Sequence, residues 1–331
     1  MGTLVNSSAR SARPEMPERA LQAFLRKLKS GDEIAHLVTL LFALTILLIT
    51  GLLFFELYVH SAASRQQFGW HFLVTSTWDP VSNQFGALPF VYGTVVTTVI
   101  SLLMAIPLGI GGAIFLAEFA PTNVSDSLTF VVELLAAVPS VIYGLLGIFT
   151  VIPLLRDDVD PFLQARFGFL PIFQGPIYGV GFLAAGVVLA IMIVPFILSV
   201  SRQILLAVPS EQREAALSLG ATRWEAIWKV VVPYARTGIL GSIFLAMARA
   251  LGETMAVTMV IGNTPQINAS LFAPGYSIAA VIANEFTEAT GRVYLHALIE
   301  LGLVLFVLTI ILNGLARILI LATTQRGTAH T

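Results

Sequence analysis

The sequence has no cysteine, which excludes a disulfide framework and any thiolate metal site. Charge is scarce: Asp, Glu, Lys and Arg supply 11% of the 331 residues, against about 25% in an ordinary soluble domain. Lysine is rarest, with only Lys27, Lys29 and Lys229. None follows a glycine-rich loop, and no G-x-x-x-x-G-K-[ST] occurs, so any ATP used by this system must be hydrolysed by another subunit. A net charge of −1 gives no electrostatic footprint for nucleic acid. The five histidines show no metal-ligand spacing, and no nucleophile–base arrangement appears. Low-complexity segments and convincing internal repeats are also absent.

What the chain has is apolar length. Hydrophobic residues make up 56% of it, and six runs are long enough to cross about 30 Å of hydrocarbon. They lie near 36–57, 89–117, 128–154, 177–200, 238–262 and 293–320. The expected fold class is an all-α integral membrane protein. "AIPLGIGGAIF" (105–115), with a proline and three glycines, is a candidate break or bend in the second span. The leading thirty residues do not read as a cleavable signal, because the following apolar run is too long and no small-residue cleavage site ends it.

Basic residues set the orientation. With the N-terminus inside, thirteen of the 18 fall on cytoplasmic segments and four (Arg65, Arg156, Arg166 and Arg292) on the opposite side. Both termini are therefore expected in the cytoplasm. Residues 1–16 read as a disordered tail and 17–35 as an amphipathic helix, with Ala20, Leu21, Phe24, Leu25 and Leu28 on one face. That helix lies in the membrane surface or against the protein's own cytoplasmic loops. Residues 36–322 form the six-span domain, and 323–331 a second cytoplasmic tail.

The segment 208–235 carries the most local information. Ser210 is placed to cap a helix, with Glu211 and Glu214 in its first turn. Gly220 is placed to end that helix in the left-handed conformation. Thr222 and Glu225 have capping-box spacing. Trp224, Ile227, Trp228 and Val231 share one helical face, and Pro233 is expected to close the element. The result is helix, sharp turn, helix. Short tethers to membrane spans disfavour a DNA-binding helix-turn-helix. The small residues of the turn suit docking by a cytoplasmic protein.

This segment resembles the EAA loop of ABC importer permeases: Glu-Ala-Ala, three residues, Gly, nine residues, then an apolar-x-apolar-Pro. Glu214, Ala215, Ala216, Gly220 and Pro233 match, with Val230 and Val232 as conservative departures. "WDPVSNQFGALPFVYGT" (78–94), "AAVPSVIYGLLG" (136–147) and "ARALGETMAVTMVIGN" (248–263) are similar to the PstC-type permease family of phosphate importers. The resemblance covers residues 68–320. It implies the type I ABC importer permease architecture in a bacterial plasma membrane. It also implies a homologous second permease subunit, a cytoplasmic ATPase dimer binding ATP and Mg, and an extracytoplasmic phosphate-binding protein. Glu214, Ala215, Ala216, Gly220 and Arg223 would then form the ATPase-coupling surface.

Span five carries Arg249 and Glu253, one helical turn apart on one predicted face. Each charge is unfavourable in a bilayer by roughly 2.5–3.5 kcal/mol on insertion scales. One reading is a neutralising pair that pins helices together. The other is a polar site on the transport path, in which Arg249 offers phosphate a bidentate fork and Glu253 holds it at rest. Glu133 and Glu300 are alternative partners for Arg249. Thr254, Ser140 and Tyr143, with Thr97, Thr98 and Ser101, are candidate path-lining residues, although interhelical hydrogen bonding is the commoner role of such side chains. "RDDVDP" (156–161) reads as a solvated external loop. An ABC permease for another oxyanion and a secondary transporter are the rival assignments; an intramembrane enzyme lacks a visible dyad or metal site.

Overall fold

The computed structural model describes residues 32–328. The expected tail at 1–16 and most of the amphipathic helix at 17–35 lie outside them. The described residues form helices α1 (Asp32–His60), α2 (Ala62–Phe68), α3 (His71–Val74), α4 (Leu88–Ile114), α5 (Thr122–Ala136), α6 (Ser140–Phe167), α7 (Phe182–Leu206), α8 (Ser210–Ser218), α9 (Arg223–Leu251), α10 (Met255–Val260), α11 (Ile278–Glu285) and α12 (Arg292–Thr328). Six are long and apolar enough to cross a membrane: α1, α4 with its extension to Phe119, α6, α7, α9 and α12. The α12 helix continues past the boundary expected at 322.

The described residues fall into two units, divided between Glu56 and Leu57. The described part of the first is α1 as far as Glu56, largely apolar, with its apolar side chains exposed. In the second unit α7 is the central element. It is hydrophobic all round, as a helix surrounded by other helices should be. Phe182, Ala185, Leu189, Met192, Ile193 and Ile197 are all essentially inaccessible. Three apolar clusters follow one another along α4. Phe90 belongs to one that includes Phe72, Phe85 and Tyr276. Ala105 belongs to the central one around α7. Ala113 and Ile114 belong to a third with Leu205, Ile227 and Val231.

The second span does not break at "AIPLGIGGAIF". α4 continues through Pro107, and the glycines serve helix contact instead. A Cβ on Gly109 would meet Ile197 at 2.7 Å, and one on Gly112 would meet Leu198 at 2.7 Å. A wide π-helical turn, Phe115–Phe119, closes this span.

Two spans sit elsewhere than hydropathy placed them. The run at 128–154 is divided at Pro139, which lacks an amide donor and forces the preceding residue out of helical geometry. The short α5 precedes the division, and the spanning helix α6 follows it. "RDDVDP" is accordingly not a loop. It is the far part of α6, with Arg156 paired to Asp157 at 2.8 Å and Asp160 buried.

The fifth span runs 223–251 rather than 238–262. Pro233 does not close the preceding element, because the π-helical turn Ile227–Val231 absorbs the missing donor and the helix continues.

At the end of the unit holding residues 59–88, an aromatic cluster closes on one carboxylate. Trp78 Nε1 and Tyr294 OH both donate to Glu285 Oε2, at 2.8 and 2.7 Å. The neighbouring turn is held by Asp79, whose Oδ2 accepts from Ser82 Oγ at 2.6 Å. That hydrogen bond is the main reason the Asp79 carboxyl lies below its ordinary range.

Candidate functional site

The α9 helix ends at Leu251, and α10 begins only at Met255. Arg249 and Glu253 therefore do not lie on one continuous helix, and the expected i,i+4 pair does not form. Gly252 provides the turn, and its amide donates to Ala250 O across the helix end. Arg249 occupies the last turn of α9, where the helix dipole favours a cation. Its side chain is exposed, and among the described residues it has no ion-pair partner. Glu253 turns the other way: its Oε1 accepts from Ala256 N at 3.2 Å, capping the start of α10.

The depth of this break follows from its neighbours. Gly181, at the head of α7, donates its amide to Val260 O. Ser242 of α9 bonds Ser201 in the last two turns of α7, and Arg249 lies about two helical turns further along the unbroken α9, roughly 10 Å of rise against the roughly 37 Å length of α7. Arg249 thus lies beside the middle of α7. A broken helix at that depth exposes backbone groups, which a bilayer tolerates only inside protein or against a watery cavity.

The other path candidates are placed less openly. Tyr143 is buried, and its hydroxyl donates to Leu135 O at 2.6 Å, tying α6 back to α5. Next to it, Gly144 lets α6 approach α10 until a Cβ would strike the Met259 sulfur. Ser140 opens α6 behind Pro139 and is half-buried. Thr254 occupies the cap position of α10, with its hydroxyl 3.3 Å from Gly252 O.

Thr97, Thr98 and Ser101 are buried and donate to carbonyls of their own helix at 2.8, 2.7 and 2.8 Å. Glu133 is exposed on α5, and Glu300 is buried on α12; neither pairs with Arg249.

The second candidate surface is the helix–turn–helix. α8 starts at Ser210 behind Pro209, so Ser210 is the first helical residue and its hydroxyl makes no cap. The helix ends as a Schellman turn. Ala221 N donates to Ala216 O at 3.2 Å, Gly220 N donates to Leu217 O at 3.0 Å, and Gly220 has φ of 86°. Thr222 and Glu225 form the complete capping box, at 3.3 Å and 3.0 Å. The predicted apolar face divides: Ile227 and Val231 are buried, whereas Trp224 and Trp228 are half-exposed and meet edge to face.

Glu214, Ala215, Gly220 and Arg223 are exposed, while Ala216 faces inward. Sequence reasoning missed Leu219, an apolar side chain left 89% exposed at the tip of the turn. It also missed the break at Gly252. The only signal for the break was a glycine roughly three turns short of the apolar run's end.

Comparison with known proteins gives the same outline. Residues 109–324 match the family described as "Binding-protein-dependent transport system inner membrane component". A phosphate transport system permease protein PstC from Mesorhizobium japonicum is 45% identical over 303 residues, covering 90% of this chain and 93% of that protein. The Haemophilus influenzae protein of the same name is 46% identical over 286 residues, covering 85% and 90%. A probable PstC of Methanocaldococcus jannaschii is 35% identical over 304 residues, covering 90% and 95%. Among solved structures, an inward-facing MetNI methionine ABC transporter superposes with a TM-score of 0.52 at 16% identity, over 75% of this chain and 99% of that one. That likeness supports the fold alone.

Proposed function

Because the chain belongs to the family of inner-membrane components of binding-protein-dependent transport systems, we propose that it is the permease subunit of an ATP-driven importer that carries inorganic phosphate into the cytoplasm. It is a multi-pass inner-membrane transport component that works with an ATPase and a substrate-binding protein. Nucleotide and Mg belong to the ATPase subunits, and the phosphate-binding protein delivers the anion to the outer face.

The observation that carries the reading is the exposed, unpaired Arg249 at mid-depth beside a broken helix. Facing lipid, such a guanidinium would be unfavourable by roughly 2.5–3.5 kcal/mol or more. On an aqueous path it is a bidentate anion site that keeps its charge throughout the cycle. The same exposure supports a homologous second permease. Leu245, Arg249, Gly252 and Met255 form an open strip on α9 and α10, and a second subunit closing over it would complete a path between the two chains. No observation favours a secondary transporter. The exposed turn of α8 gives an ATPase a surface to drive, and Leu219 completes that surface beside Glu214, Ala215, Gly220 and Arg223.

Expression of the chain with its partner subunits in cells lacking high-affinity phosphate uptake tests the assignment. Restored growth at low phosphate is expected; restored growth only on limiting sulfate or another oxyanion would replace phosphate as the substrate.

The topology is tested separately, and the cysteine-free chain makes the test clean. Val81, Phe169 and Gln266 are exposed in loops assigned to the outside, and Ala215 is exposed in the cytoplasmic turn. Cysteines at 81, 169 and 266 are expected to react with an impermeant maleimide added to intact cells. One at 215 is expected to react only after permeabilisation. The reverse pattern would invert the orientation and place both termini outside.

A further inference from the structure

One side chain of α8 ties that helix to two other parts of the chain. Arg213 Nη2 donates to Glu118 Oε1 at 2.8 Å, and Nε reaches the same carboxylate at 3.1 and 3.2 Å. Nη1 donates to Val208 O at 2.6 Å, and Nη2 to Leu205 O at 2.7 Å. Glu118 lies in the π-helical turn that ends the α4 span. Leu205 and Val208 lie at the last turn of α7 and just beyond it, where carbonyls lack the usual i+4 amide partner. The guanidinium therefore joins α8 to the ends of two spans at once.

The setting makes this joint stiff. The Arg213 and Glu118 side chains retain only 23% and 10% of their exposure, so water screens the pair weakly. Beside it, the Phe119 ring lies 6.3 Å from Trp224, linking the same π-turn to α9. One layer further in, Ser201 of α7 and Ser242 of α9 share a 2.8 Å hydrogen bond. Arg249 lies in the last turn of α9. A displacement of α8 thus has a contiguous route of packed and hydrogen-bonded elements to the broken helix.

We propose that Arg213 is a positioning residue for energy coupling. With Glu118 it locks α8 to the ends of the second and fourth spans, so that motion imposed on α8 moves those spans as one body. A lysine cannot replace it, because one ammonium cannot span a carboxylate and two carbonyls in a fixed fork. The inference rests on the importer reading above.

The test uses the assembled complex (both permeases, ATPase subunits and binding protein) in proteoliposomes, and reads phosphate accumulated per ATP hydrolysed. R213M, R213K and E118Q are expected to assemble and hydrolyse ATP, with phosphate per ATP reduced roughly tenfold or more, within the span of ordinary site-to-site coupling. E118Q leaves both carbonyl contacts in place, so it decides the matter if R213M fails to assemble. An unchanged ratio in assembled E118Q and R213K would overturn the proposal. So would hydrolysis and transport falling together at constant ratio, or loss of assembly in all three variants, since either makes the pair a folding element. A wild-type complex that moves no phosphate would instead contradict the importer reading.

Discussion

Replacing Arg249 by glutamine is expected to abolish phosphate uptake while leaving the complex assembled. Among the described residues the side chain makes no ion pair whose loss would leave a buried partner stranded. Its removal costs the fold little. For a transiting phosphate the loss is large: two charge-assisted hydrogen bonds of roughly 1.5–3 kcal/mol each are removed, or about 100-fold or more in rate or affinity. Arg249→Lys keeps the charge but not the fork, and should recover uptake only partly. Glu253→Gln should be mild, because an amide oxygen still accepts from Ala256 N and caps α10. Glu253→Ala should destabilise by about 1 kcal/mol, the worth of a helix cap. Uptake per assembled complex, with assembly quantified by co-purification, separates these outcomes. Normal transport by the glutamine variant would make Arg249 a structural residue.

The second large effect belongs to Gly220. Its φ of 86° is a left-handed conformation, and no atom lies within 4 Å of where a Cβ would sit. The glycine is therefore required by the backbone, not by internal packing. Valine in this conformation costs roughly 1–2 kcal/mol, which is enough to unwind the Schellman turn that presents Leu219. It also puts a branched side chain on the surface assigned to the ATPase. Gly220→Val is expected to reduce co-purification of the ATPase by about tenfold and to uncouple the remaining hydrolysis from uptake. Gly220→Asn, which tolerates the same φ, should retain most of both. Unimpaired assembly and transport in the valine variant would remove this turn from the docking surface.

Local signals were read from the sequence correctly where the chemistry is local. The Thr222–Glu225 capping box and the left-handed Gly220 each depend on a handful of consecutive residues. The number of spans was legible for the same reason.

Span boundaries were not. Hydropathy integrates over a window and cannot see that Pro139 divides one apolar run, or that Gly252 ends a helix inside another. The Arg249–Glu253 pairing failed at that point: i,i+4 spacing implies contact only on an unbroken helix, and α9 stops between the two residues. Contacts between distant segments were invisible altogether. Arg213 and Glu118 are 95 residues apart, and Trp78 and Glu285 are 207 apart. Nothing in either neighbourhood names its partner.

The central claim is that this chain lines an ATP-driven path for phosphate. The most direct measurement is accumulation of radiolabelled phosphate by proteoliposomes holding the complete complex, with binding protein on the receptor side and ATP on the ATPase side. The account predicts accumulation against a gradient that requires ATP and binding protein together, and that unlabelled phosphate competes with but sulfate does not. Phosphate equilibrating without ATP, or ATP-driven accumulation of another oxyanion in place of phosphate, would contradict it.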